Sequence, residues 1–159
     1  MQVTTLWRML LLLACCLGVV GTAPVKAQPA ADVAAVSAAN AAFYTALSAR
    51  DAAAMAQIYA HTDYVVNVGP RSTAILFGWP AVEGWAKSLA NIFEALDAKS
   101  TSARVRVNGR TAWVMNTEHA SGKLKGGAPI DWDLISTNVF EKIEGRWLMV
   151  SHHAMAPMK

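Results

Sequence analysis

The sequence predicts an α+β domain in which helices pack on one face of a curved antiparallel sheet. Most of its first half has apolar residues at spacings of three and four, which is typical of amphipathic helices. Its second half has β-branched and aromatic segments separated by turn signals, which is typical of strands. The predicted order is α-α-β-β-α-β-β-β-β, an α+β arrangement. At 159 residues the chain is long enough for one domain whose core needs no disulfide.

Residues 1–27 have the features of a secretory signal peptide. An early positive charge precedes an apolar run over 9–21, and Val25-Lys26-Ala27 places small residues at the −3 and −1 positions. We therefore expect cleavage before Gln28 and export to the periplasm or beyond the cell. An alternative is a lipoprotein anchored at Cys15, because the residues that end there resemble a bacterial lipobox. The run is too short for a comfortable span of about 20 residues, so we predict no transmembrane segment.

The composition of residues 28–159 excludes several classes of function. Both cysteines, Cys15 and Cys16, lie in the leader, so the mature chain would have no disulfide, thiol catalyst or Cys-ligated metal. Cleavage would remove Arg8 and Lys26 and reduce the formal net charge from +3 to +1. No basic cluster remains, so we expect no nucleic-acid partner. We also expect no metal site and no cofactor.

Local signals predict the helices of the first half. Asp32 is a plausible N-cap for a helix up to residue 50, and Asp51 for a second, short helix. A β-branched strand over 64–68 and a short strand over 73–77 follow. Gly78-Trp79-Pro80 opens a third helix, with proline in the first turn where its missing N–H costs nothing, and the apolar spacing of this helix continues to Leu96.

The second half is predicted to be strands only. Strands over 100–107 and 111–119 are joined at Asn108-Gly109, a strong signal for a two-residue turn. A longer loop over 122–129 leads into a final hairpin over 130–154. This hairpin ends in two adjacent histidines.

Three stretches carry a family resemblance: FYTALSARDAAAMAQIYA, GWPAVEGW and NVFEKIEGRWLMVSHHA. With them the chain resembles the nuclear-transport-factor-2-like superfamily, in particular its SnoaL-like and ketosteroid-isomerase-like bacterial branch, over residues 28–159. The resemblance implies a cone-shaped half-barrel, with three helices of the N-terminal half packed on a strongly curved mixed or antiparallel sheet. It also implies a pocket between sheet and helices, and frequent homodimers formed through the sheet. The superfamily contains enzymes and binding modules, so the fold does not fix the function.

The resemblance also allows a test for isomerase chemistry. Ketosteroid isomerases place a general-base Asp near the end of the first strand, and the matching position here is Asn67. Their oxyanion-donating Tyr on the first helix falls on Phe43, with Tyr44 one step off that face. An amide accepts no proton at neutral pH, so the resemblance argues against ketosteroid isomerase activity.

Strand alternation assigns the two histidines to opposite faces. With Trp147 taken as inward, His153 shares its face and becomes the candidate general base or ligand partner. His152 then faces solvent or a dimer partner, beside Leu148 and Val150. These two, with Val139 and Thr137, predict an apolar outer patch and hence a homodimer. The opposite parity for Trp147 would reverse the assignment.

The same alternation predicts the rest of the pocket. Asn138 is expected to face inward near His153, and Glu118 is the carboxylate that could line the pocket mouth. The resemblance to ketosteroid isomerases implies that Asn67 also faces inward, and the resemblance to SnoaL-like cyclases implies that Glu118 would be the acidic base. The alternative for Glu118 is a solvated strand end. The predicted ligand-binding residues are Tyr44, Tyr59, Asn67, Trp85, Trp132, Asn138 and His153, with His153 and Glu118 as catalytic candidates.

Two functions follow from this pocket. One is an exported module that binds a small apolar or carbonyl-containing molecule without catalysis. The other is an enzyme of the isomerase, cyclase or hydrolase type, acting on a small carbonyl, polyketide-like or steroid-like substrate with His153 as general base. A cavity in which a hydrogen-bonded histidine is the sole ionisable group would favour the first function.

Overall fold

The computed structural model describes residues 29–157, so the predictions for the leader, Cys15 and the cleavage site before Gln28 lie outside the described residues. The predicted order of elements is confirmed. The elements are α1 (Ala30–Ala49), α2 (Ala52–Ile58), β1 (Val66–Val68), β2 (Leu76–Phe77), α3 (Trp79–Ile92), β3 (Phe93–Asn108), β4 (Thr111–Leu124), β5 (Pro129–Ile143) and β6 (Arg146–Met155). Within residues 29–157, no helix has the length and apolar character needed to cross a membrane.

The strands form one mixed sheet in the order β2-β1-β6-β5-β4-β3. The β1–β6 pair is parallel and the other neighbours are antiparallel. The sheet does not close, and the three helices cover its concave face, which confirms the predicted cone. The last strand of the chain therefore lies inside the sheet, between β1 and β5.

The first helix begins earlier than predicted. Pro29 is the residue before its first turn, so the expectation that Asp32 is the N-cap is wrong. The Asp32 carboxylate instead accepts hydrogen bonds from Lys142 Nζ at 2.6 Å and Trp147 Nε1 at 3.0 Å. It thereby ties α1 to the final hairpin. Asp51 caps α2 as predicted, since its side chain accepts from the backbone N–H groups of residues 53 and 54.

The third helix starts as predicted and ends sooner. Gly78, at φ 78°, precedes it, and Pro80 lies in its first turn. It stops at Ile92, after which β3 continues directly.

Gly122 explains how β4 can lie so close to the start of β3. A Cβ there would be 2.2 Å from the Ala95 carbonyl oxygen, so only glycine fits.

A β-bulge in β6 reverses the assignment of the two histidines. Phe140 pairs with Met149, whereas the preceding residue of β5 pairs with Ser151, so Val150 is an extra residue. Trp147 and Met149 are buried on the concave face, and after the bulge the inward parity moves to His152. His152 is 3% exposed and His153 is exposed. The predictions that His153 points inward and that His152 points outward are both wrong.

Candidate functional site

A cavity of about 480 Å³ opens between α3, the β1–β2 connection and the concave face of the sheet. Its wall is mainly apolar, and Trp85 and Trp132 are part of it, as the sequence predicted. The other apolar lining residues are Leu47, Pro70, Leu89, Ile92, Phe93, Leu96, Ala98, Ala120, Leu124 and Leu134.

Four ionisable side chains of the described residues line this cavity. Glu118 and His152 are buried, whereas Arg71 and Lys125 are exposed. The Arg71 guanidinium lies 5.9 Å from the centroid of the Trp132 ring, a cation–π arrangement. The interior therefore presents one carboxyl and one imidazole, and the exposed lining presents two cations.

Glu118 lies on β4 and is held by hydroxyl groups. The Tyr44 hydroxyl, from α1, donates to Glu118 Oε1 at 2.5 Å, and Ser136 Oγ lies 3.3 Å from the same hydroxyl oxygen. No cation among residues 29–157 forms an ion pair with this carboxylate. Burial raises the pKa of Glu118, against the lowering effect of the hydrogen bonds from Ser136 and Tyr44. Ionisation of Glu118 therefore costs more free energy than ionisation of a glutamate on the surface.

Burial and the nearby Glu118 charge act in the same direction on Tyr44. Together they raise the pKa of the Tyr44 hydroxyl well above its ordinary value of 10.0. Tyr44 thus keeps its proton and remains a hydrogen-bond donor to the carboxylate.

His152, on β6, is the second buried ionisable residue that lines the cavity. Its Nδ1 lies 2.7 Å from Asn138 Oδ1, and its ring centroid lies 4.8 Å from that of Phe43. Burial, together with the smaller effect of the charge of the neighbouring His153, lowers the pKa of His152 to about 3. The imidazole is therefore neutral at physiological pH.

Buried amides connect His152 to the first helix. Asn138 Nδ2 donates to Asn40 Oδ1 at 2.8 Å, and Asn40 Nδ2 donates to Asn116 Oδ1 at 3.0 Å. Ser100 Oγ donates to the same Asn116 oxygen at 2.9 Å. We call Asn116, Asn40 and Asn138 the amide chain. It joins α1 to the sheet beneath the cavity.

Sequence reasoning missed Asn40, Asn116 and Ser136 as site residues. A signal for Asn40 was present, because it lies four residues after Val36 and three before Phe43 on the apolar face of α1. A polar side chain on such a face needs a buried partner. For Asn116 and Ser136, strand alternation predicts which way the side chain points but does not identify its hydrogen-bond partner.

The predicted ligand-binding residues divide into three groups. Trp85 and Trp132 line the cavity, as does Glu118. The side chains of Tyr44, Tyr59, Asn67 and Asn138 are buried around it and engaged with one another or with lining residues. His153 is on the opposite face of the sheet.

Asn67 has one unused hydrogen-bonding group. Tyr59 donates its hydroxyl to Asn67 Oδ1 at 3.2 Å, and Asn67 Nδ2 is buried without a hydrogen-bond partner among the described residues. In the same part of the chain, no group of three or more His, Cys, Asp or Glu side chains is arranged to hold a metal ion.

Comparison with known proteins agrees with this architecture. Residues 36–159 match the family model of the SnoaL-like domain. The chain belongs to this family. A proposed dehydratase of the NTF2-like family from Streptomyces avermitilis is 27% identical, with a TM-score of 0.73, over 82% of this SnoaL-like chain and 100% of that chain. An NTF2-like superfamily protein from Salmonella enterica serovar Typhimurium is 16% identical, with a TM-score of 0.72, over 78% of this chain and 89% of that chain.

A plant protein shares part of the sequence. The F-box protein SKIP8 from Arabidopsis thaliana is 31% identical over 116 residues, which are 72% of this chain and 46% of that protein. The SnoaL-like chain thus spans about half the length of this relative. The similarity does not extend over the whole plant protein.

Proposed function

We propose that this SnoaL-like chain binds a small, largely apolar molecule that carries a carbonyl or hydroxyl oxygen. The observation that supports this is the cavity itself. Its volume of about 480 Å³ falls within the range of small-molecule pockets, and its wall is apolar except for a few polar groups. Glu118 and His152 are the buried polar groups that would orient the ligand.

The rigidity of these two groups supports a binding role. Tyr44 holds the Glu118 carboxylate and Asn138 holds the His152 ring, each through a buried hydrogen bond. Side chains already fixed in this way lose little conformational entropy when a ligand arrives. Apolar contacts with the wall would provide affinity, and the two polar groups would provide orientation.

The proposal is tested by following tryptophan fluorescence, since Trp85 and Trp132 line the cavity. Native mass spectrometry of the protein from its source would identify a retained molecule, which then serves as the titrant. We expect Glu118→Gln and His152→Phe each to weaken binding by about tenfold, the value of one hydrogen bond. His153→Phe, a matched change on the outer face, should leave affinity unchanged. Equal effects of the two histidine variants would refute the proposed site.

Glu118 supports a second candidate function, a lyase or isomerase that moves a proton on such a molecule. Its raised pKa and its hydrogen bond from Tyr44 are suited to a carboxylate that takes a proton from carbon and returns it to another atom. The likeness to the proposed dehydratase points to the same chemistry. In this candidate function the general base is Glu118 and not His153, which is exposed on the opposite face of the sheet.

Hydrogen–deuterium exchange separates the enzyme from the binding module. In deuterated buffer an enzyme would exchange a carbon-bound proton of the bound molecule, and Glu118→Gln would slow that exchange by at least about 100-fold. Binding to the variant would persist, because glutamine can still accept from Tyr44. If the wild type exchanges no carbon-bound proton, the catalytic candidate fails and the binding function remains.

A further inference from the structure

The amide chain is anchored at a backbone carbonyl. Asn116 Nδ2 donates to the Val114 carbonyl oxygen at 3.2 Å. A carbonyl oxygen can only accept, so the amide of Asn116 has one orientation. Its Oδ1 must point the other way, where it accepts from Asn40 Nδ2.

The remaining amides follow from this anchor. Because Asn40 uses its Nδ2 on Asn116, its Oδ1 faces Asn138 and accepts from Asn138 Nδ2. The Oδ1 of Asn138 is then the atom left for His152 Nδ1. An amide oxygen has no proton to give, so Nδ1 of His152 must carry the hydrogen. Reversing the chain would place two carbonyl oxygens against each other at Val114.

This assignment leaves the other ring nitrogen without a hydrogen. A neutral imidazole carries a single proton, and burial keeps His152 neutral. Nε2 has no hydrogen-bond partner among residues 29–157, and the ring lines the cavity. Nε2 is therefore an acceptor with a free lone pair.

We infer that the His152 Nε2 lone pair selects a ligand that carries a hydroxyl group, an alcohol or phenol, at this point of the cavity. The inference rests on the proposed function and narrows its ligand class. A hydroxyl hydrogen would pair with Nε2, whereas a carbonyl or ether oxygen would bring two lone pairs together. A site built to accept a hydrogen bond rejects analogues that cannot donate one, because its own acceptor would stay unpaired.

The tautomer is measured on the free protein, without any ligand. In ¹⁵N-labelled protein, long-range ¹H–¹⁵N spectra distinguish a protonated ring nitrogen from an unprotonated one. We expect a neutral histidine with a protonated Nδ1 and an unprotonated Nε2, and its signals should be absent from His152→Phe. A protonated Nε2 on His152 would overturn the inference.

The ligand class is measured with a matched pair of probes. 2-Naphthol and 2-methoxynaphthalene have the same ring, but only the naphthol can donate a hydrogen bond. We expect the naphthol to bind about tenfold more tightly in calorimetric titration, which is the effect of one hydrogen bond. The preference should persist in Glu118→Gln and disappear in His152→Phe, with His153→Phe as the matched control.

The possible outcomes separate the two proposals. Equal affinity of both probes for the wild type, or a preference that survives in His152→Phe, would overturn the inference while the binding function stands. If neither probe binds, the result counts against the proposed function, and the inference that rests on it fails as well.

Discussion

His152 and His153 are neighbours in the chain with opposite surroundings. His152 is buried against Phe43 and hydrogen-bonded to Asn138, whereas His153 faces solvent on the convex side. The difference has a thermodynamic consequence, because a buried imidazole resists protonation and an unfolded one does not. Stability should therefore depend on pH through His152.

The sign of this dependence follows from the two pKa values. His152 has an ordinary pKa of 6.5 when unfolded and about 3 when folded, so the unfolded state binds more protons between these values. Stability contributed by the neutral ring is present above pH 6.5 and is lost as the pH falls toward 3. Between pH 7 and pH 4 the wild type should lose roughly 3 kcal/mol more than His152→Phe.

Urea denaturation at the two pH values measures this difference. Burial also raises the pKa of Glu118, but this residue is present in both proteins and its contribution cancels. His153→Phe is the control and should keep most of the wild-type dependence. Parallel pH profiles for the wild type and His152→Phe would show that His152 is not buried as a neutral ring.

At the scale of elements, the contact of α1 with the sheet combines apolar packing with the amide chain. Asn40 is the one member of that chain that α1 contributes, and its two hydrogen bonds reach β4 and β5. Removal of this side chain leaves the buried Nδ2 donor of Asn138 without its Asn40 partner, whereas Asn116 Oδ1 keeps its hydrogen bond from Ser100. A buried donor that loses its partner costs free energy, because it gave up its hydrogen bonds to water on folding.

We expect Asn40→Ala to lower the free energy of unfolding by about 1–3 kcal/mol. Ser37→Ala is the matched control on the same helix. Its hydroxyl is exposed and donates within α1, so the change should stay within about 0.5 kcal/mol. Denaturant titration of both variants gives the comparison, and similar losses would mean that the amide chain contributes nothing specific.

The elements themselves were predictable from the sequence to different extents. The starts of α2 and α3 and the turn between β3 and β4 were predictable, because Asp51, Gly78 and Asn108-Gly109 are local signals. The end of α3 was not predictable, since its apolar spacing continues through Phe93 and Leu96 into β3 without a break. There the antiparallel partner, β4, overrides the helical pattern.

The bulge at Val150 left no mark in the sequence. Leu148, Met149 and Val150 are all apolar, so the alternation that normally reveals a strand's buried face is absent where the parity changes. The pairing with β5 determines which residue is extra. Glu118, Trp85 and Trp132 line the cavity, and β4 pairs with β5 around Glu118 and Trp132 without such an irregularity.

At the scale of the molecule, the convex face of the sheet exposes several large apolar side chains. Met115, Ile135 and Met155 are exposed by 46%, 46% and 45%. Pairing places Ile135 opposite Met155, and Met115 is paired with Thr137, two residues from Ile135 on β5, so these positions lie near one another. Val150, which the sequence assigned to this patch, is instead buried.

A homodimer formed through this patch remains our prediction. Light scattering at micromolar concentration should give twice the mature mass. Ile135→Lys should shift the protein to monomer, since a charge at the centre of an apolar interface has no partner. Lys99→Glu, at an exposed position on β3, is the control. A wild-type monomer across the whole range would contradict the prediction.

Export also remains a prediction at this scale, since it concerns residues 1–27. Cleavage by signal peptidase should give a mature chain that begins at Gln28, as read by N-terminal sequencing of protein from the cell envelope or the medium. An acylated Cys15 at the N-terminus would indicate the lipoprotein alternative. An intact Met1 on cytoplasmic protein would contradict both.

The central position of β6 has a consequence for folding. The parallel β1–β6 pair joins residues near the start of the domain to the last strand of the chain. Such long-range pairing forms slowly, because much of the chain must be ordered before the contact is made. The strands on either side of β6 can meet in the native sheet only after β6 has been synthesised. The sheet of this domain should therefore form only after β6 is available, rather than strand by strand as the chain is made.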